Sequence, residues 1–320
     1  MSELTKQIFE IGVVPLIVLE DVQDAVPLAK ALVKGGIPVA EVTFRTDAAL
    51  DIIKEIAQNV PQIILGAGTV HNVKNAQLAV EAGAKFIVTP GFNAEVVAYC
   101  VQNNIDVLPG CVSPADIEQA LSFGLDTVKF FPAEAYGGIK TLKALAGPYG
   151  GVQFMPTGGV NTENMADYLT LPNVAAVGGS FVTPDNLIKE KRWEDIALLC
   201  QQVMLKILNF SLVHVGINTQ DQADGLQTAN TLATLFGTQV TEFPTAYFAG
   251  SMFEVIKGSY LGAKGHIAIQ TADIDRAVAY YQRNGVTFNP DTFVRDDKGR
   301  LLTVYFKDEV AGFALHLRRK

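Results

Sequence analysis

Histidine, cysteine and tryptophan are scarce in this chain: 320 residues carry four, three and one of them. The cysteines, Cys100, Cys111 and Cys200, are scattered, odd in number and without metal spacing, so reduced core thiols are expected rather than a disulfide framework. No run of about 18 apolar residues is present to span a bilayer. No basic, apolar, small-residue signal segment opens the sequence either, and a cytoplasmic location is the expectation. Positive charge is not in excess. A formal net charge of -8 argues against a nucleic-acid or anionic-membrane partner and leaves room only for a local basic pocket for a phosphorylated metabolite. What the chain does have is apolar material. With 49% hydrophobic and 18% charged residues it can build a full core, and its length suits one large domain plus one small one.

From Gly12 to about Gly178, short apolar runs alternate with helical patterns at nearly regular intervals. The runs are Val13 to Leu19, Ile37 to Phe44, Gln62 to Gly66, Phe86 to Thr89, Ile105 to Pro109, Thr127 to Phe131, Val152 to Pro156 and Val174 to Val177. Between them lie segments such as Ala25 to Lys34, Val73 to Glu81 and Ala94 to Gln102, whose apolar residues recur every three and four positions. Eight strand and helix units predict an α/β fold of the closed (β/α)8 barrel type over residues 1–208. A Gly-x-Gly-x-x-Gly fingerprint does not follow the first strand, which weighs against an open dinucleotide-binding sheet.

In such a barrel, chemistry sits where strands end and their following loops begin. Lys129 is the residue that breaks the pattern there. It lies in Thr127-Val128-Lys129-Phe130-Phe131-Pro132-Ala133-Glu134, an otherwise apolar strand, where a buried amine needs a carboxylate partner or a chemical task. A strand-end lysine that snorkels past Phe130 is the plainer alternative. Taken together, Glu41-Val42-Thr43 with Arg45-Thr46, Gly66-Ala67-Gly68-Thr69, Lys129-Phe130-Phe131-Pro132-Ala133-Glu134, Pro156-Thr157-Gly158-Gly159 and Gly178-Gly179-Ser180 resemble the class I aldolases that cleave 2-keto-3-deoxy-6-phosphogluconate (KDPG) and 4-hydroxy-2-oxoglutarate (KHG). The resemblance covers roughly residues 6 to 205, and the arginine after Glu-Val-Thr is similar to the phosphogluconate branch.

The residue chemistry is consistent with that resemblance. Cleaving a carbon-carbon bond beside a hydroxyl requires an electron sink, either a divalent metal or an imine on a neutral lysine. The barrel segment has one histidine, His71, read as a loop residue, and no ligand cluster at its strand ends, which favours the imine. Burial among Val128, Phe130 and Phe131 disfavours an ammonium, so Lys129 is assigned as the Schiff-base former. Glu41 is assigned as the proton shuttle, with a structural ion pair to Lys129 as the alternative. The resemblance implies that Arg45 and Thr69 hold the carboxylate of a 2-oxo acid. Gly158, Gly159, Gly179 and Ser180, with the adjoining Thr157, read as a phosphate cradle, or else as tight turns. Pro90 and Phe131 are expected to wall the pocket.

Beyond Leu208 the texture changes to short alternating strands, and residues 209–320 are expected to form a small α+β domain. Leu212-Val213-His214-Val215-Gly216-Ile217 is echoed 52 residues later by Lys264-Gly265-His266-Ile267-Ala268-Ile269. Each copy is followed by a helical segment and closes on an alternating strand, Met252 to Ile256 and Phe313 to Leu317. This pairing resembles the twin βαβββ modules of the glyoxalase (vicinal oxygen chelate) superfamily. That resemblance implies a divalent metal on His214, Glu254, His266 and His316, of a kind (Zn, Ni, Fe or Mn) the ligands do not decide. The last position is usually Glu, and repeat symmetry with packing alone is the competing explanation. The expected function is a lyase that splits KDPG into pyruvate and glyceraldehyde 3-phosphate, with KHG as a further substrate and no cofactor beyond the lysine imine. Its partner is a small 2-oxo acid, and the family implies a homotrimer. The rival reading is a barrel serving as a metabolite-binding scaffold for a C-terminal metalloenzyme.

Overall fold

The computed structural model describes residues 2–320, which form two compact units, one running through Ile207 and the other Leu208–Lys320. The first unit alternates helices with eight parallel strands. These are β1 (Val13–Ile17), β2 (Val39–Thr43), β3 (Ile64–Gly68), β4 (Phe86–Val88), β5 (Asp106–Leu108), β6 (Thr127–Phe130), β7 (Gln153–Pro156) and β8 (Val177–Gly179). Six of them pair in the order β5-β4-β3-β2-β1-β8, and β6 pairs with β7. Backbone contacts complete the ring. Lys129 N–H donates to Pro109 (2.9 Å) and Cys111 N–H donates to Lys129 (2.8 Å), joining β5 to β6, while Thr157 bridges to Gly178 and joins β7 to β8.

Strands of this barrel are covered on both faces, which is why β1, Val-Val-Pro-Leu-Ile, is buried throughout. The outer helices are amphipathic and several are capped by short polar side chains. Asn72, Asn93 and Ser113 each accept a hydrogen bond from the backbone N–H three residues on. Each such cap stabilises its helix by about 1 kcal/mol.

Two strands lie later in the chain than their apolar runs predict. β3 occupies Ile64–Gly68 rather than residues 62–66, and β8 occupies Val177–Gly179 rather than 174–177. Gly68, Gly178 and Gly179 lie past the expected strand ends, yet they are strand residues, and neighbours fill the space a side chain would need. A Cβ at Gly66 would lie 2.3 Å from the Phe86 ring, and one at Gly178 would lie 2.3 Å from the Thr157 hydroxyl.

The second unit is built on one eight-stranded sheet, made from β9 (Ser211–Ile217), β10 (Val240–Glu242), β11 (Ala246–Ala249), β12 (Phe253–Ile256), β13 (Gly265–Thr271), β14 (Val294–Arg295), β15 (Leu301–Tyr305) and β16 (Phe313–Arg319). Its order is β10-β11-β12-β9-β13-β16-β15-β14. Each half is a βαβββ module whose first and last strands pair in parallel, β9 with β12 and β13 with β16. The halves meet where β9 and β13 run antiparallel. In the second half, Ile274, Ala277 and Val278 of the helix Ile274–Arg283 pack with Val304 and Leu317 on one face of the sheet. Strand alternation turns Tyr305 and His316 to the other face.

Gly66→Ala tests the packing that fixes β3. The added methyl overpacks the Phe86 ring and is expected to cost roughly 1–3 kcal/mol, read as a lower urea midpoint for loss of the barrel. An unchanged midpoint would show that the barrel interior has slack at this layer.

Candidate active site and a second polar cluster

Lys129 sits third in β6, flanked by the fully buried Val128 and Phe130. By the two-residue alternation of a strand, those neighbours project away from the barrel interior that Lys129 enters. Its ammonium nitrogen lies 3.2 Å from Glu41 Oε1, and both side chains are almost completely withdrawn from solvent, at 5% and 0% exposure. The Phe131 ring caps the nitrogen at 5.2 Å. Glu41 comes from the middle of β2, four strands around the ring, so the pair spans the interior. Its second oxygen, Oε2, is buried and accepts no hydrogen bond among the described residues. A buried carboxylate oxygen normally has a partner, so this one marks a position for a water or a substrate hydroxyl.

The strand glycines acquire a purpose beside this pair. A Cβ at Gly68 would lie only 2.0 Å from Glu41 Oε1, so the carboxylate occupies the volume that the missing side chain leaves. Nothing in linear spacing signalled that role. Thr69 follows directly, half-buried and with φ of 59°, a left-handed conformation uncommon for a residue with a branched Cβ. Pro90 is half-buried after β4, where Thr89 Oγ1 donates to the Gly91 carbonyl (2.7 Å) and accepts from Gly110 N–H (3.3 Å). Arg45 lies in the turn after β2, exposed and without an ion pair among the described residues.

After β7, Thr157 is buried while Gly158 and Gly159 adopt φ of 95° and 83°. Their loop is zipped to the one after β6: Ala133 N–H donates to Thr157 (2.8 Å) and Glu134 N–H to Gly158 (3.1 Å). The backbone N–H groups of Gly159 and Ser180 donate no hydrogen bond among the described residues, and Ser180, just past β8, is exposed. A contact not foreseen from the sequence fixes this corner. The Tyr168 hydroxyl donates to the Glu134 carboxylate, whose stem fills the space where a Gly159 side chain would stand. Burial, and then the Glu134 charge, raise the Tyr168 phenol well above its ordinary range. His71 is exposed and engages Asn93 only through its backbone carbonyl.

The second unit carries a separate polar cluster. His214 of β9, Glu254 of β12, His266 of β13 and His316 of β16 converge on one face of the sheet. Glu254 Oε2 is 2.9 Å from His214 Nε2 and 3.2 Å from His266 Nε2, and the two imidazole nitrogens are 3.1 Å apart. One nitrogen from each of the three histidines lies within 4.8 Å of the others. The register explains the room they have. His266 faces Gly216 and His214 faces Ala268, so each imidazole stands opposite a small residue. A Cβ on Gly216 would come within 2.0 Å of the His266 ring.

Burial opposes the charge on Glu254, but hydrogen bonds from His214 and His266 and their positive fields outweigh it and hold the carboxyl at about 2. Burial, reinforced by His266 and His214, pushes the His316 imidazole down to about 3, so it is neutral with a lone pair to offer. Both its nitrogens are buried without partners among the described residues, and Tyr305 stacks on its face at 4.5 Å. Four donors around a zinc-like ion at 2.0–2.1 Å stand about 3.3 Å apart in a tetrahedron. The carboxylate-imidazole and imidazole-imidazole separations at Glu254, His214 and His266 lie close to that spacing, and the neutral, orphaned His316 is the form a metal requires. The residues fit a divalent cation. Above them opens a cavity of about 1130 Å³ that they line together with Tyr305, Arg300 and Arg318.

Comparison with known proteins bears on the barrel. Residues 4–199 match the model of the family described as KDPG and KHG aldolase. The 2-dehydro-3-deoxy-phosphogluconate aldolases of Haemophilus influenzae and Treponema pallidum are 45% and 46% identical over 208 and 204 residues. Each alignment takes in 64% of this chain, and 98% and 97% of the respective relative. Among solved structures, the Legionella pneumophila KDPG aldolase, with pyruvate captured at low pH as a covalent carbinolamine, is 41% identical with a TM-score of 0.61, covering 62% of this chain and 97% of its own. The Zymomonas mobilis enzyme with 3-phosphoglycerate is 40% identical, TM-score 0.59, covering 63% and 94%. Through its barrel, the chain belongs to the KDPG and KHG aldolase family.

Proposed function

We propose that the barrel is a class I aldolase that cleaves 2-dehydro-3-deoxy-6-phosphogluconate to pyruvate and glyceraldehyde 3-phosphate, and also splits 4-hydroxy-2-oxoglutarate to pyruvate and glyoxylate. The observation that carries this reading is a lysine and a carboxylate facing each other at 3.2 Å inside the barrel, with one carboxylate oxygen unpartnered. A purely structural ion pair gives no reason for the orphaned oxygen, and a metabolite-binding scaffold has no use for a buried amine.

The steps follow from those groups. Lys129, having passed a proton to Glu41 or water, attacks the C2 carbonyl of the substrate; the carbinolamine hydroxyl takes a proton back and leaves as water, giving an iminium with Glu41 ionised again. Glu41, directly or through a water on Oε2, takes the proton of the C4 hydroxyl. As the C4 oxygen forms its carbonyl, the C3–C4 bond breaks and its electron pair moves into the iminium, leaving an enamine and releasing the aldehyde. Glu41 then returns the proton to C3, and hydrolysis frees pyruvate and Lys129. The iminium nitrogen is the electron sink, so the route uses no metal.

In this reading Arg45 and Thr69 hold the substrate carboxylate, Pro90 and Phe131 wall the pocket, and Thr157, Gly158, Gly159, Gly179 and Ser180 receive the phosphate. The free N–H groups of Gly159 and Ser180 support the last assignment. The Zymomonas relative solved with 3-phosphoglycerate is in keeping with a phosphate site. The described residues contain no helix long and apolar enough to cross a membrane. The family resemblance supports a cytoplasmic homotrimer.

For residues 209–320 we propose a glyoxalase-like module whose His214, Glu254, His266 and His316 hold one divalent metal. The two partnerless nitrogens of buried His316 favour this over packing alone. Such an ion would supply a Lewis acid, and the chain's own part is to present four donors on a rigid sheet.

Three measurements test these readings. Steady-state assays should find turnover of both 4-hydroxy-2-oxo acids by the intact chain. Glu41→Gln should lower kcat by about 10²- to 10⁴-fold, and Gly68→Ala, which displaces the carboxylate without removing it, should lower kcat less. Normal kcat in both folded variants would take Glu41 out of the reaction. Finally, apo protein incubated with Zn²⁺ or Co²⁺ and desalted should retain one ion per chain, whereas His316→Ala should retain far less; background levels in the wild type would remove the metal reading.

A further inference from the structure

Gly158 and Gly159 carry no side chains, so nothing of their own holds the peptide between them. Both have positive φ, and a glycine pair can turn such a peptide over at little cost. A phosphate cradle nonetheless needs the N–H to face the anion. What fixes it comes from the loop after β6. Glu134 N–H donates to the Gly158 carbonyl (3.1 Å), and because the peptide is trans and planar, the Gly159 N–H points the opposite way. The Glu134 side chain closes the space behind it, since a Cβ on Gly159 would lie 2.4 Å from Glu134 Cγ. The next peptide is held separately, by the Asn161 and Asn164 side-chain amides on the Gly159 carbonyl (3.4 and 3.2 Å).

A glutamate is an unexpected residue for this place. Its charge works against a phosphate on the other side of the loop, and no basic side chain pairs with it among the described residues. Its partner is the Tyr168 hydroxyl. Tyr168 belongs to the short helix Met165–Leu169 and is fully buried, which makes it a fixed anchor. Gly138 clears the space where the two side chains meet: a Cβ there would lie 2.5 Å from the Tyr168 oxygen. A buried hydroxyl needs some partner, and a backbone carbonyl would serve. Here it engages the end of the side chain that packs behind Gly159.

We propose that Tyr168 and Glu134 are positioning residues for the phosphate end of the substrate: the phenol pins the carboxylate, and the pinned side chain keeps the Gly158–Gly159 peptide turned so that the Gly159 N–H faces the anion. Neither residue touches the substrate. The proposal rests on the phosphate-cradle reading above and goes beyond it by naming what holds the cradle in shape. The pair thereby sets the preference for a phosphorylated 2-oxo acid over one without phosphate. It acts through the length and the acceptor oxygen of Glu134, and the charge of that residue has no part in it.

The test measures KM and kcat of the intact chain with KDPG and with KHG, which has no phosphate, and titrates inorganic phosphate as a competitive inhibitor of KDPG cleavage. Tyr168→Phe is expected to raise KM for KDPG, and the inhibition constant of phosphate, about 5- to 20-fold, with kcat for KDPG and both constants for KHG held within about twofold. Glu134→Ala should do the same, and the double variant should be no worse than either single one, because the two residues act as a unit. Glu134→Gln keeps the stem and the acceptor without the charge, so its KM for KDPG should match or fall below the wild-type value. Turnover of KHG shows that each variant is folded, and if Tyr168→Phe does not fold, Glu134→Ala against Glu134→Gln carries the same test. A KM for KDPG that stays within twofold in Tyr168→Phe, a rise for both acids alike, or a Glu134→Gln as impaired as Glu134→Ala overturns the proposal and leaves the cradle reading standing. If wild-type protein shows neither a lower KM for KDPG than for KHG nor inhibition by phosphate, the cradle reading fails and takes the proposal with it.

Discussion

A cation and an anion kept together out of water impose more on this protein than any other contact in it. Lys129 and Glu41 are the charged side chains most completely buried in the barrel, and each would be strongly unfavourable there without the other. Holding them requires β2 and β6, which are distant in sequence and on different arcs of the ring, to bring their third residues to a common depth. It also requires empty space for the carboxylate, which the glycine at position 68 provides. Closure of the barrel, the glycines of β3 and the apolar residues flanking Lys129 all serve that one arrangement. Because replacing such a pair by apolar residues is often neutral or stabilising, stability alone does not account for it.

The second unit solves a related problem with a different architecture. Its sheet buries one face against helices and leaves the other concave and polar. The two modules are joined so that their equivalent first strands lie side by side, which brings His214 and His266 to 3.1 Å. Each of those strands pairs in parallel with the last strand of its own module, which adds Glu254 and His316. Internal symmetry therefore gathers four donors without any short sequence motif. In both units, a glycine on the adjacent strand leaves the volume that a functional side chain fills: Gly68 for the Glu41 carboxylate, Gly216 for the His266 ring.

Much of this could be read from the sequence, for identifiable reasons. Eight apolar runs at regular spacing define a barrel because parallel strands buried on both faces have little other composition. Lys129 stood out because it violates that composition, and Glu41 because it is the matching violation in β2. His214 and His266 were legible through a repeat of 52 residues. The glycines of β3 and β8 misled the strand boundaries, since a glycine that makes way for a cross-strand neighbour looks the same as one that makes a turn. Tyr305, Arg318 and the Tyr168–Glu134 contact were invisible for the same reason, because partners are chosen across strands or between loops and linear spacing does not encode that register. Arg45 and Ser180 are placed at strand ends as the pattern suggested, and in the free protein they face solvent.

The central claim is that the nitrogen of Lys129 becomes covalently bonded to the C2 carbon of a 2-oxo acid. Incubating the full chain with pyruvate, reducing with borohydride and mapping the digested protein by mass spectrometry tests it directly. The account predicts one reduced pyruvate adduct per chain, on the peptide containing Lys129, and none when Lys129 is replaced by arginine. An unmodified Lys129 peptide under conditions where the chain turns over substrate, or an adduct on another lysine, would contradict it.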